Sequence, residues 1–155
     1  MKITVKYLVV LAVFAVAHAQ TATDIRRGTI SGAGTANFLG GLTLSGGGTK
    51  FIALSRVVNI GDGVGANDTS ATWSAGSIDI LLDGVLVNKS DATLNNTFDG
   101  TITNSNGGGF FNNQGTFTKS GGTGTTTISG GAMAFNNTGP VNVNSGTLNA
   151  NSRNV

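Results

Sequence analysis

Asp79 and Asp83, in the segment SIDILLDG, are the most closely spaced carboxylates in the chain, and a carboxylate pair is what acid–base cleavage of a glycosidic bond needs. Four apart on a strand, they share a face but stand ~13 Å from each other, beyond the ~5–9.5 Å of paired glycosidase carboxylates. Asp83-Gly84 reads more simply as the start of a turn, and catalysis would require a partner from elsewhere in the fold, as in β-helical pectin-degrading enzymes. A second cluster, GDGVGAND, places Asp62, Asn67 and Asp68 on a glycine-rich loop, a weak echo of calcium-binding turns. Calcium takes six or more oxygens and this loop offers few, so the expectation is no bound metal. Cysteine and glutamate are absent and the only histidine is His18, which excludes Cys/His metal sites, Ser-His-Asp and Cys-His systems, and a disulfide framework.

Candidates for binding are polar and aromatic. Thr-x-Thr pairs recur at Thr101/Thr103, Thr116/Thr118 and Thr125/Thr127, and on a flat face they would form a hydroxyl array able to order water or ice; the last repeat carries Val141 and Val143 instead. Threonine also favours strands for its own sake. The single tryptophan, Trp73, is either a platform for sugar rings or a core plug. Asn67, Asn88, Asn95 and Asn136 head N-x-S/T sequons, relevant only in a eukaryotic secretory route.

The opening MKITVKYLVVLAVFAVAHAQ has a charged start (Lys2, Lys6), an apolar run too short to span a bilayer, and Ala17-His18-Ala19 as a cleavage site. Residues 1–19 are therefore expected to be a signal peptide, cleaved near Ala19-Gln20, placing the mature chain outside the cytoplasm, secreted or at the cell surface. Of nine basic residues two lie in that stretch, so seven remain against seven aspartates. A neutral mature chain gives no argument for nucleic acid, and no membrane span is expected in it.

From residue 20 onward one texture persists: short alternating or β-branched runs (TKFIAL, RVVNIG, SIDILLDG, VLVNKS, GTFTK, GTTTIS), each closed by Gly, Asn, Asp or Ser. These are strand and turn signals at all-β spacing, with glycine too frequent for helices. FNNQGTFTKSGG (111–122) matches FNNTGPVNVNSG (135–146) at five of twelve positions, and LNNTFDGTITNSNGG from Leu94 reads as a looser third copy. Repeats of about 24 residues predict a solenoid of about six coils, with Phe111 over Phe135 inside and Asn112-Asn113 over Asn136-Asn137 turning a corner in left-handed backbone. The expected layout is an N-terminal edge or cap over 20–27 and a solenoid over 28–155.

TWSAGSIDI (72–80), DATLNNTFDGTIT (91–103) and GGFFNNQGTFTKSGGTGTTTISGGAMAFNNTGPVNVNSGTLNA (108–150) resemble the repeats of large exported bacterial surface proteins, the adhesin-like β-solenoids grouped with autotransporter passengers and filamentous haemagglutinins. The resemblance implies a right-handed parallel β-helix displayed at a cell surface, here a short or truncated member. It implies a non-catalytic protein without cofactors, attaching through a repetitive surface to glycan, matrix or another cell. The alternative is a structural protein that self-associates through open coil ends into filaments; a polysaccharide-degrading module stands third.

Overall fold

The computed structural model describes residues 3–5, 10–11, 17–19, 21–65 and 69–151. It is all-β: parallel strands stack into a β-solenoid of about five turns, with no helix among the described residues. Each turn contributes one strand to each of three sheets. The first face stacks β1 (Ile3–Val5), β4 (Thr23–Ile25), β7 (Leu42–Leu44), β10 (Thr69–Trp73), β13 (Ala92–Asn96), β16 (Thr116–Lys119) and β19 (Val141–Val143). The second stacks β2 (Val10–Leu11), β5 (Gly28–Ser31), β8 (Lys50–Ile52), β11 (Ile78–Ile80), β14 (Thr101–Thr103), β17 (Thr125–Ser129) and β20 (Thr147–Asn151). The third stacks β3 (Ala17–Ala19), β6 (Gly34–Phe38), β9 (Arg56–Ile60), β12 (Gly84–Asn88), β15 (Gly109–Asn113) and β18 (Met133–Asn137). Residues 23–25, expected in an N-terminal edge, are a full rung of the first sheet, paired to β7 through Thr23↔Leu42.

Strand period explains the interior. Alternate residues point inward, and parallel pairing puts each over its equivalent one turn away, ~4.8 Å along the rod. The resulting columns are nearly pure: Leu42, Ala71, Leu94, Phe117 and Val141 on the first face; Ile30, Ile52 and Ile80 on the second; Ala36, Val58, Leu86, Phe111 and Phe135 on the third. Phe111 is fully buried, with its ring stacked on Phe135 at 5.1 Å and edge-on to Phe117 at 6.0 Å. Aromatic contacts of that kind add about 0.5–1.5 kcal/mol to what burial alone contributes.

Register corrects the reading of the third repeat. Leu94 lies beneath Phe117 on the first face, whereas the residue beneath Phe111 is Leu86, so the copy preceding FNN is the LVN of β12. The turns are also uneven. Leu42 pairs with Ala71 across an insertion that includes residues 61–68, while Thr93 pairs with Thr116 and Phe111 with Phe135.

Corners are closed differently from the expectation. Among the described residues, the left-handed ones other than glycine are Leu54, Ser55, Leu82 and Asp83, and none is an asparagine. They form two-residue turns between the second and third faces, closed by Arg56 N–H to Ala53 O (3.3 Å) and Gly84 N–H to Leu81 O (3.1 Å). A left-handed leucine costs roughly 1–2 kcal/mol, which the pairing on both sides of the corner must offset.

Bulk on one rung is matched by its absence on another. A Cβ at Gly100 would collide with the Trp73 indole and the Phe98 ring, so glycine there is fixed by close approach. Gly100→Ala is expected to destabilise the fold by about 1–3 kcal/mol, as overpacking does, with a change in Trp73 emission. Urea unfolding followed by tryptophan fluorescence checks this; a midpoint equal to that of the parent would refute the packing account.

Candidate functional site

The candidate carboxylates do not converge. Asp79 is buried on the outer side of β11, its two oxygens accepting Ser105 N–H at 3.0 Å and Ser105 O–H at 2.6 Å. Asp83 is exposed in the left-handed corner, where its N–H donates to Gly108 O at 2.7 Å. One carboxylate staples a neighbouring turn and the other tops a corner, so the two share no partner.

In the GDGVGAND loop, Asp62 Oδ1 accepts Val64 N–H at 2.8 Å; Asn67 and Asp68 lie outside the described residues. The anchor of this loop is one that sequence reasoning missed. Buried Asp91, on the next turn, accepts Asp62 N–H at 3.0 Å and Gly63 N–H at 2.7 Å. Among the described residues no group of three or more His, Cys, Asp or Glu is placed to hold a metal.

Trp73 is fully buried, with its indole N–H on Gly76 O at 2.8 Å and its ring edge-on to Phe98 at 5.1 Å. That corrects its candidacy as a sugar platform, because the ring is a core plug at the corner between the first and second faces. The threonine pairs separate as well. Thr101/Thr103 and Thr125/Thr127 lie on the second face, with Thr101 paired to Thr127, whereas Thr116/Thr118 lie on the first. Val141 and Val143 do not replace Thr116 and Thr118; they align with inward Phe117 and Lys119, and Asn142 succeeds Thr118.

Asparagine works through its side chain. Inward Asn88 donates to Asn113 Oδ1 at 2.8 Å, and Asn113 to Asn137 Oδ1 at 2.7 Å, an amide ladder buried at Asn88 and Asn113 and exposed at Asn137 that continues the column of Phe38 and Ile60. Asn88 also reaches Thr116 O at 3.0 Å, bracing the corner between the third and first faces. On the outer side Asn59 donates to Asn37 at 2.7 Å and Asn136 to Asn112 at 2.9 Å.

Three cations are buried among the described residues. Arg56 gives Nε and Nη2 to Ser31 O. Lys119 bonds Asp99 Oδ1 at 2.8 Å and Gly121 O at 2.7 Å, and its ammonium holds the Asp99 carboxyl below the ordinary 3.8. Lys50 bonds Gly46 O at 2.9 Å and Ala75 O, and burial lowers its pKa to about 8, opposed by Asp24. Lys50 borders an apolar void of about 20 Å³ lined also by Ile25, Leu44 and Ile78, the room of a single water.

No protein-family model, curated protein or solved structure matches this chain.

Lys50 gives a signed prediction. With its folded pKa depressed from 10.5 to about 8, the unfolded chain binds more protons between those values, so stability rises with pH across that window. Lys50→Met is expected to remove that rise. Urea midpoints measured at pH 7.5, 9 and 10.5 check it; a parent protein whose stability is flat over this range would overturn the assignment.

Proposed function

We propose that this is an exported, adhesin-like β-solenoid that attaches to glycan, matrix or cell surfaces through its repetitive sides and performs no catalysis. The observation that supports it most is what the outer faces present. Their outward positions are mostly threonine, serine, asparagine and valine, with Phe51 and Phe110 among them, and the two outward carboxylates, Asp24 and Asp79, are bonded to Ser45 and Ser105. Such a surface offers many similar weak contacts and no tuned acid–base pair. The leader-like residues 1–19 agree with export, and no helix among the described residues is long and apolar enough to cross a membrane.

A second reading, end-to-end assembly, draws on the last described turn. Its inward residues Phe135, Val141 and Leu148 are only partly buried, Val143 is 46% exposed, and no charge occurs in residues 120–151. Edges that avoid pairing usually carry charge.

Bead-displayed protein is expected to bind a glycan panel or whole cells at least ten times more strongly than the monomer, and Thr101→Lys with Thr103→Lys is expected to weaken it. No binding to any surface tested would sink attachment. Unbranched fibres in electron micrographs of ligand-free protein would favour assembly, and polysaccharide turnover lost in Asp79→Asn would establish an enzyme.

A further inference from the structure

The outer side of the first face differs from the other two in what its polar side chains do. Two outward columns run along it in strict register: Ser70, Thr93 and Thr116 in one, and Thr72, Asn95 and Thr118 in the other. On the third face the outward asparagines bond one another, and on the second Asp79 is bonded by Ser105. Here the hydroxyls of Ser70, Thr72, Thr93, Thr116 and Thr118 have no partner among the described residues; only Asn95 is engaged, accepting the Ser120 hydroxyl at 2.7 Å.

We propose that this hydroxyl array binds the surface of ice. Successive rungs lie ~4.8 Å apart, and alternate residues along a strand ~6.6–6.8 Å. Those two repeats approach the oxygen repeats of hexagonal ice along and across its prism face, so a water held at one threonine stands near a lattice site relative to water held at the next. Each hydroxyl both donates and accepts, as a lattice oxygen must. Branching at Cβ restricts χ1, and the half-buried setting of the threonines holds them further, so little side-chain freedom is lost on contact. No charged side chain stands among these six residues; the second column continues through Thr43 to Asp24, whose carboxylate is buried and accepts the Ser45 hydroxyl at 2.7 Å. A strongly hydrated ammonium or carboxylate would impose its own water geometry there. A soluble glycan fits less well, since the array has no exposed aromatic ring on which a sugar could stack: Trp73 and Phe117, the aromatic residues of these strands, are fully buried.

The inference stands apart from the attachment reading, which is tested on the second face. The experiment is thermal hysteresis and ice-recrystallisation inhibition by the full chain. The parent protein is expected to open a measurable gap between melting and freezing and to keep ice grains small. Thr93→Lys and Thr116→Lys are each expected to abolish both effects while circular dichroism and the melting midpoint stay unchanged, and Thr103→Lys on the second face should retain them. Parent protein no more active than an equal mass of serum albumin would overturn the proposal. So would equal loss in Thr103→Lys, or adsorption to crystalline cellulose without any effect on ice, which would assign the array to a crystalline polysaccharide.

Discussion

Parallel rung-on-rung register is the constraint on which everything else in this protein depends. Once a strand is committed to lie ~4.8 Å above its equivalent, every inward side chain is judged by the two residues above and below it as well as by its neighbours in sequence. A column can therefore change character only if the change is absorbed locally. The third-face column Phe38, Ile60, Asn88, Asn113, Asn137 shows how. It passes from apolar to amide in one step, and the amides then satisfy each other because each donates to the next. The step itself leaves Asn88 Oδ1 without a donor, since the residue below it is Ile60.

The same logic governs the buried cations. Lys119 stands between Asn96 and Val143 in its column, where the neighbouring corner supplies Asp99 and two glycine carbonyls, so the ammonium is taken from water only where acceptors already converge. Lys50 has carbonyls but no carboxylate bonded to it, and burial lowers its pKa against the pull of Asp24. Replacing a buried ion pair by apolar residues is often neutral or stabilising. Strand register, by contrast, is left weakly specified by repetitive columns. A lysine whose acceptors converge at only one corner, and an asparagine ladder with a defined first rung, both penalise a slip by one residue, because the slip breaks these bonds and turns the inward apolar set toward solvent.

This explains why the architecture could be read from the residues and the details could not. The spacing of FNN at 111 and 135 is a direct record of register, because both copies sit on the same face and the intervening turn is regular. LNN at 94 misled because two faces use the same vocabulary: Asn96 and Asn113 both end a strand facing inward, and a string of letters does not say on which side of the triangle it lies. Threonine spacing failed for the same reason, since Thr101/Thr103 and Thr116/Thr118 have equal intervals but leave the rod in different directions. Trp73 and Asp79 were legible only as alternatives. Whether a ring or a carboxylate is buried is decided by Gly100 and Ser105 one turn away, residues whose types carry no signal on their own.

A periodic scaffold also limits the kind of function that the fold can express. A pocket with tuned acid and base needs unlike groups brought to one point, whereas a solenoid brings like groups to successive points along a line. Here the unlike groups that do meet, Lys119 with Asp99 and Asp91 with the Asp62–Gly63 backbone, meet at corners and are consumed in closing them. What remains free is the outward set, which is repeated, uncharged and held in a lattice by the backbone. Chemistry of that kind distinguishes partners by their own periodicity more than by their functional groups. The first and second faces differ little in composition, so any difference in what they bind must come from how regular each array is. The second is broken by Phe51 and by Asp79 under Ser105, and the first by Asn95 and, at its lower end, by Asp24 under Ser45.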